Sequence, residues 1–183
     1  MFVMVERAVR QVDIEPEARS LGFIMLKPLG TTEPFRSEII KQISSIGSIE
    51  AIRPHTLTRT EASALYSLSG HDEEGNPLPH FHAIVNYLTG KQIELLLVSG
   101  GRNLITEIDK LIGQWQPENT HTGQMRHLLI EYGVQYMMDV DTPEGSNKYC
   151  YDNLVHSSDS QESANREMRI WFSEEEIKGA FGK

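Results

Sequence analysis

Four runs rich in apolar or β-branched residues, separated by stretches whose apolar residues recur at helical spacing, constrain the fold of this chain most. Leu21 to Pro28 (LGFIMLKP) is almost unbroken in its apolar character and is stopped by Pro28 and Gly30, which predicts a buried strand followed by a turn. Pro34 then opens a helix carrying Phe35, Ile39, Ile40, Ile43 and Ile46, and Gly47 closes it. Ile49 to Thr58 is rich in β-branched residues and predicts a second strand, and a short helix from Thr60 carries Leu65 and Tyr66. The Gly- and Pro-rich stretch Ser69 to Pro79 predicts a loop. A helix over Phe81 to Leu88 and a strand over Lys91 to Val98 follow, the strand ended by Ser99-Gly100-Gly101. Leu104, Ile105, Ile108, Leu111 and Ile112 mark an amphipathic helix up to Gly113.

The pattern weakens from Gln114 to Tyr149, where Thr142 to Asn147 is a turn-rich excursion. Tyr151 to Val155 predicts a short strand leading into His156. Asp159-Ser160-Gln161-Glu162 fits a capping box for a helix running to Trp171, and Glu174 to Ala180 predicts a terminal helix. The resulting order, β-α-β-α-α-β-α-loop-β-α, predicts an α+β chain. Its expected form is a ferredoxin-like βαββαβ antiparallel sheet with helices packed on one face, rather than a doubly wound sheet.

A chain of 183 residues suits one domain and buries a sizeable core without staples. Residues 1–20 read as an N-terminal arm and 21–183 as that domain. The lone Cys150 forms no internal disulfide, and the mixed charges of residues 1–20 contain no apolar signal-peptide region, so a cytoplasmic protein is expected. No apolar run approaches the roughly 20 residues a membrane span needs. The formal charge is −9 and no basic stripe is present, which argues against a nucleic-acid partner. A small anionic substrate stays compatible, because a few cations and a helix N-terminus in one cleft reverse the local field.

The segment Asn153 to Ser163 (NLVHSSDSQES) concentrates the chemistry. A histidine between a strand and a capped helix N-terminus is held on rigid backbone beside N–H donors and a positive dipole end. Imidazole is largely uncharged near neutral pH and nucleophilic, which suits covalent phosphoryl transfer. The residues alone leave two readings of His156: a phosphoryl-accepting nucleophile, or a packed histidine beside a helix cap.

Asn153 to Phe172 (NLVHSSDSQESANREMRIWF) resembles the nucleoside diphosphate kinase signature, Asn-hydrophobic-hydrophobic-His-x-Ser-Asp followed by Glu-Ser-Ala and Trp-Phe. Phe23 to Gly30 (FIMLKPLG) resembles that family's first strand and its Lys-Pro-Asp-Gly turn, and the likeness runs from Gly22 to Ile177. The resemblance implies a phosphotransferase that passes the γ-phosphate of a nucleoside triphosphate to a nucleoside diphosphate through phosphorylated His156. It implies that Lys27, Tyr66 and Arg126 approach the phosphates and that Asn153 touches ribose and phosphate. Ser158 and Glu167 would shape the surroundings of the histidine. It also implies Mg²⁺ carried by the nucleotide with no metal site in the protein, and a homo-oligomer, whether hexamer, tetramer or dimer.

The sequence departs from that pattern in several places. The family's second phosphate-binding arginine falls on Asp109, beside Lys110, and its phosphate-binding threonine on Trp115. The aromatic that stacks on the base falls near His80, with Phe81 adjacent. The turn reads Lys27-Pro28-Leu29-Gly30, and His127-Leu128-Leu129 opens an insertion over about 127–149 of the kind found in some archaeal and bacterial members. Two lost charge-assisted hydrogen bonds, at about 1.5–3 kcal/mol each, amount to about two to four decades in affinity or rate. Arg102, Arg169 or a residue of the insertion are the candidate replacements. The alternative function is therefore a catalytically weakened nucleotide-binding relative. A third reading, zinc held by His71, His80 and His82 near Asp72 and Glu73, rests on a His-x-His spacing in a loop.

Overall fold

The computed structural model describes residues 19–67, 70–142 and 145–182, so the expected arm falls almost entirely outside the described residues. Four strands, β1 (Arg19–Leu26), β2 (Ser48–Thr56), β3 (Gln92–Gly101) and β6 (Val155–Ser157), form one antiparallel sheet in the order β2-β3-β1-β6. The helices are α1 (Phe35–Ser44), α2 (Arg59–Leu65), α3 (Pro79–Leu88), α4 (Leu104–Ile112), α5 (Leu128–Glu131), α6 (Gln161–Trp171) and α7 (Glu174–Phe181). This is the expected ferredoxin-like arrangement, with β1 central because its apolar run has the most to bury.

Helices cover both faces of the sheet, which corrects the one-face expectation. Leu21, Phe23 and Met25 of β1 pack with Leu95 and Leu97 of β3 under α2, α3, α6 and α7. Ile24 and Leu26 turn to the opposite core, formed with Leu96, Val98, α1 and α4. The evidence for two covered faces lies in β1 itself. Phe23-Ile24-Met25-Leu26 does not alternate, as a half-buried strand would, and every residue from Leu21 to Leu26 is buried. Each such side chain contributes about 1.5–3 kcal/mol on burial.

Three boundaries differ from expectation. Ser99, Gly100 and Gly101 stay in β3, paired with Leu21, Ser20 and Arg19. The weakly patterned stretch after α5 forms a hairpin, β4 (Met138–Thr142) paired with β5 (Gly145–Tyr149), and its tip at 143–144 lies outside the described residues. Residues 151–154 are not a strand; β6 begins at Val155 and contains His156. Tyr151 and Leu154 are apolar because both are buried. Leu154 has φ +72° and Val155 N–H donates to the Asn153 carbonyl at 2.9 Å, a γ-turn that no strand accommodates.

Candidate active site

His156 is paired with Met25 across the β1–β6 ladder, so its side chain projects to the face shared by Met25 and Phe23. It packs 5.4 Å from the ring of Tyr66 and 6.2 Å from that of Phe23. Behind it lies α6, whose buried stripe Ala164, Met168 and Trp171 also carries Glu167. A carboxylate on an apolar stripe is costly unless each oxygen is partnered. Here Glu167 Oε2 accepts from Ser158 Oγ at 2.9 Å and lies 2.9 Å from His156 Nε2, while Oε1 accepts from Arg166 at 2.9 Å. An ionised carboxylate only accepts, so Nε2 carries the proton and Nδ1 keeps its lone pair. Arg166, anchored also on the Ala64 carbonyl, is a positioning residue that the sequence reading missed, because nothing in its spacing ties it to the histidine. The helix is capped by Ser160, whose Oγ accepts from Ser163 N–H, rather than by the expected box with Glu162.

The strained γ-turn at Leu154 joins this histidine to the Lys27 turn. The Leu154 carbonyl accepts from Lys27 N–H at 2.8 Å, and Gly30 lies so close that a Cβ would sit 2.2 Å from the same oxygen. Strain of this kind persists only where surrounding structure holds it in place. The Lys27 ammonium is buried and donates to the Tyr151 carbonyl and to Asn153 Oδ1, both at 2.8 Å. Asn153 in turn donates from Nδ2 to the Trp115 carbonyl at 2.8 Å. Arg126 donates to the Gly113 and Val155 carbonyls at 2.8 and 3.0 Å.

These residues converge on a cavity of about 480 Å³ lined by Lys27, Tyr66, His80, Trp115, Arg126 and His156, with Ile84, Cys150, Tyr151 and Asn153 completing the wall. Tyr66 Oη and Arg126 Nε are buried without a hydrogen-bond partner among the described residues. Two cationic residues on the wall of one cavity, Lys27 and Arg126, suit an anionic ligand. Burial lowers the Lys27 pKa to about 8; repulsion from Arg126 adds to the fall, and Asp152 and Cys150 oppose it. Burial lowers Arg126 to about 10, with Tyr66, Cys150 and Asp109 opposing, and it raises the Tyr66 phenol.

The structure brings together most of the residues singled out from sequence. Lys27, Tyr66, His80, Arg126, Asn153 and His156 line the cavity, and Ser158 and Glu167 stand behind the imidazole. Phe81 does not reach it: its ring is buried in the core beside His71 and His82, so only His80 of that pair faces the cavity. Neither proposed substitute cation is close. Arg102 follows the end of β3 that pairs with Arg19, roughly 25 Å along the sheet from Lys27. Arg169 is tied to Glu174 on the exposed side of α6. Asp109 is exposed on α4 and outside the lining, whereas Trp115, half exposed, forms part of the wall.

His80 and His82 sit on a helix rather than a loop. Residues two apart project about 200° from one another, and His71 Nδ1 is bonded to the Ser67 carbonyl. No group of three potential metal ligands occurs among the described residues, and no carboxylate lines the cavity. No helix among the described residues is long and apolar enough to cross a membrane.

Residues 21–177 match the family model described as nucleoside diphosphate kinase. A nucleoside diphosphate kinase of Hyperthermus butylicus is 29% identical over 160 residues, covering 87% of this chain and 96% of the relative. One from Archaeoglobus fulgidus is 30% identical over 156 residues, covering 85% and 87%. The crystal structure of the Encephalitozoon cuniculi enzyme superposes with a TM-score of 0.66 at 23% identity, covering 85% of this chain and 90% of that one, which supports the shared fold. With its sheet order, its strand-borne histidine and a match spanning most of its length, the chain belongs to the nucleoside diphosphate kinase family.

Proposed function

We propose that this protein transfers the γ-phosphoryl group of a nucleoside triphosphate to a nucleoside diphosphate in two displacements at His156. The observation that carries the reading is the imidazole held at Nε2 by Glu167, with its other nitrogen bonded to no described residue, in a cavity that also holds Lys27 and Arg126. In the first displacement the Nδ1 lone pair forms a bond to the γ-phosphorus, the bond from that phosphorus to the bridging oxygen breaks, and the nucleoside diphosphate leaves. In the second, a terminal oxygen of another nucleoside diphosphate attacks the phosphorus and the P–N bond breaks, restoring the imidazole.

The charge developing on the phosphoryl oxygens and on the leaving oxygen is met by donors already in place, which is what this reaction class requires. Lys27 and Arg126 supply fixed positive charge, Tyr66 an O–H, and Asn153 orients Lys27 while reaching toward the nucleotide. Glu167 and Ser158 act through the imidazole, fixing its tautomer and stabilising the charge it gains. His80, on the cavity wall, meets the base. With no carboxylate on the described wall, Mg²⁺ arrives on the nucleotide, where it neutralises phosphate charge. Family membership supports a homo-oligomer, whether hexamer, tetramer or dimer, to be sized by light scattering, and a cytoplasmic setting suited to its nucleotide substrates.

Incubation with Mg²⁺ and γ-labelled ATP is expected to label the protein with an acid-labile, base-stable phosphate, which added GDP discharges as labelled GTP. Bound nucleotide with neither label nor GTP would instead establish the weakened relative, for which Trp115 in the wall is the specific motive. The pH dependence has a definite sign. Lys27 has its folded pKa near 8, below the ordinary 10.5. Its contribution to stability therefore rises with pH between about 8 and 10.5, while its positive charge in the folded protein is lost as pH rises through about 8. ATP affinity measured by calorimetry is expected to fall as pH rises through about 8, and a flat profile would show that Lys27 does not bind the phosphates.

A further inference from the structure

Asp152 belongs to none of the roles above, yet it is only 4% exposed and makes no ion pair among the described residues. Its Oδ2 accepts from the Leu29 N–H at 2.9 Å and from Tyr87 Oη at 2.7 Å. Its Oδ1 is buried with no hydrogen-bond partner among the described residues. The residues on either side of it, Tyr151 and Asn153, are the two that accept the Lys27 ammonium. Leu29 stands two residues beyond Lys27, in the short 3-10 turn Leu29–Thr31. One tripeptide therefore grips both the side chain of Lys27 and the turn that follows it, with Asp152 at its centre.

Two hydrogen bonds to one oxygen do not require a charge, since an amide oxygen would accept both. A buried, unpaired carboxylate is instead expensive, and its retention calls for something that needs the charge itself. The neighbouring charge in question is Lys27, which shares its pocket with Arg126. We propose that Asp152 is a positioning residue of the phosphoryl-transfer site: its carboxylate ties the Lys27 turn to the Tyr151–Asn153 segment and holds the Lys27 side chain as an ammonium ion against Arg126. The proposal rests on the phosphotransfer reading given above and deepens it.

Arg126, Asp152 and Cys150 act on Lys27; Tyr87 of α3 bonds Asp152 and has Lys91 5.9 Å from its ring; Tyr66, the residue after α2, shares the cavity with His80 of α3 and His156 of β6. Burial and Arg126 lower the Lys27 pKa, whereas Asp152 and Cys150 raise it. Removing the carboxylate charge therefore moves the loss of the ammonium to lower pH.

The test is the second-order rate of phosphoenzyme formation from Mg²⁺ and ATP, followed from pH 6.5 to 9.5, since that constant reports ionisations of the uncomplexed protein. Asp152→Asn is expected to shift the alkaline limb down by about one unit, giving roughly fivefold slower labelling near pH 8, roughly tenfold by pH 9.5, and a much smaller loss at pH 6.5. Asp152→Ser is a second neutral replacement should the asparagine variant fold poorly. Asp152→Glu, which keeps the charge, retains the wild-type limb, as does Tyr87→Phe, which removes one hydrogen bond only. A limb unmoved in the neutral variants, with a loss uniform across pH, overturns the proposal and leaves Asp152 a turn anchor. ATP affinity over the same range separates this from the parent reading. If the wild type binds ATP without being labelled, phosphotransfer fails; a limb in affinity that moves with the neutral variants still supports Asp152, and one that does not overturns it.

Discussion

His156→Ala is expected to form no phosphoenzyme and to transfer γ-phosphate from ATP to GDP at least about 10⁴-fold more slowly than the wild type. The size follows from the covalent route, since without the imidazole the two displacements have no shared acceptor. Binding is expected to survive, because Lys27, Tyr66, Arg126 and Asn153 make no hydrogen bond with the histidine among the described residues. Folding is expected to survive as well. With the ring gone, Glu167 still accepts from Ser158 and Arg166, so the buried carboxylate is not abandoned. Calorimetry on the variant should therefore show ATP binding near wild-type strength and a melting temperature within a few degrees. Residual transfer within tenfold of wild type would place the nucleophile elsewhere.

Gly30→Ala is expected to cost about 3 kcal/mol of stability and to slow phosphoenzyme formation by about 100-fold or more. The added Cβ would lie 2.2 Å from the Leu154 carbonyl oxygen, 3.0 Å from its carbon and 3.3 Å from Cα. All three are backbone atoms, so no rotamer change relieves the overlap. The Leu154 carbonyl is also the acceptor for Lys27 N–H, so separating the two segments pulls the ammonium away from the strand that carries His156. Misplacement on the order of 1 Å is enough for a loss of that size. Gly179→Ala in α7 provides the contrast: a Cβ there meets nothing within 4 Å, and the variant is expected to gain about 0.5–1 kcal/mol. Thermal melts of the two variants beside the wild type check both signs, and a Gly30→Ala protein as stable as wild type would show that the close approach is readily relieved.

The elements of the sheet were legible because each obeys a local rule. The apolar run at Leu21–Leu26, the helical spacing of Ile39 and Ile43, and the Ser160 start of α6 all act within a few residues. The cavity wall was legible through the Asn153–Ser163 segment and its likeness to one family, which pointed to Lys27, Tyr66, Arg126, Asn153 and His156 on the wall and to Ser158 and Glu167 behind it. The boundary at β6 was not legible, because Tyr151, Leu154 and Val155 are apolar for the sake of the core and mimic a strand. Phe81 and His80 were equivalent by position, and only the rotation of α3 sends one ring to the core and the other to the cavity.

What the sequence by itself determined is therefore a set of local commitments: the strands β1, β2 and β3, the helices α1, α4 and α6, and the segment whose family signature contains His156. What only the tertiary structure decided is everything set by contact across long separations. That includes the covering of both sheet faces, the exclusion of Arg102 and Arg169 from the cavity, and the grip of Asp152 on a turn over a hundred residues earlier. The physical reason is range. Propensity, capping and periodicity act between neighbours in the chain, whereas the partner of a buried charge or carbonyl is chosen by the packing that brings distant backbone to within hydrogen-bond distance.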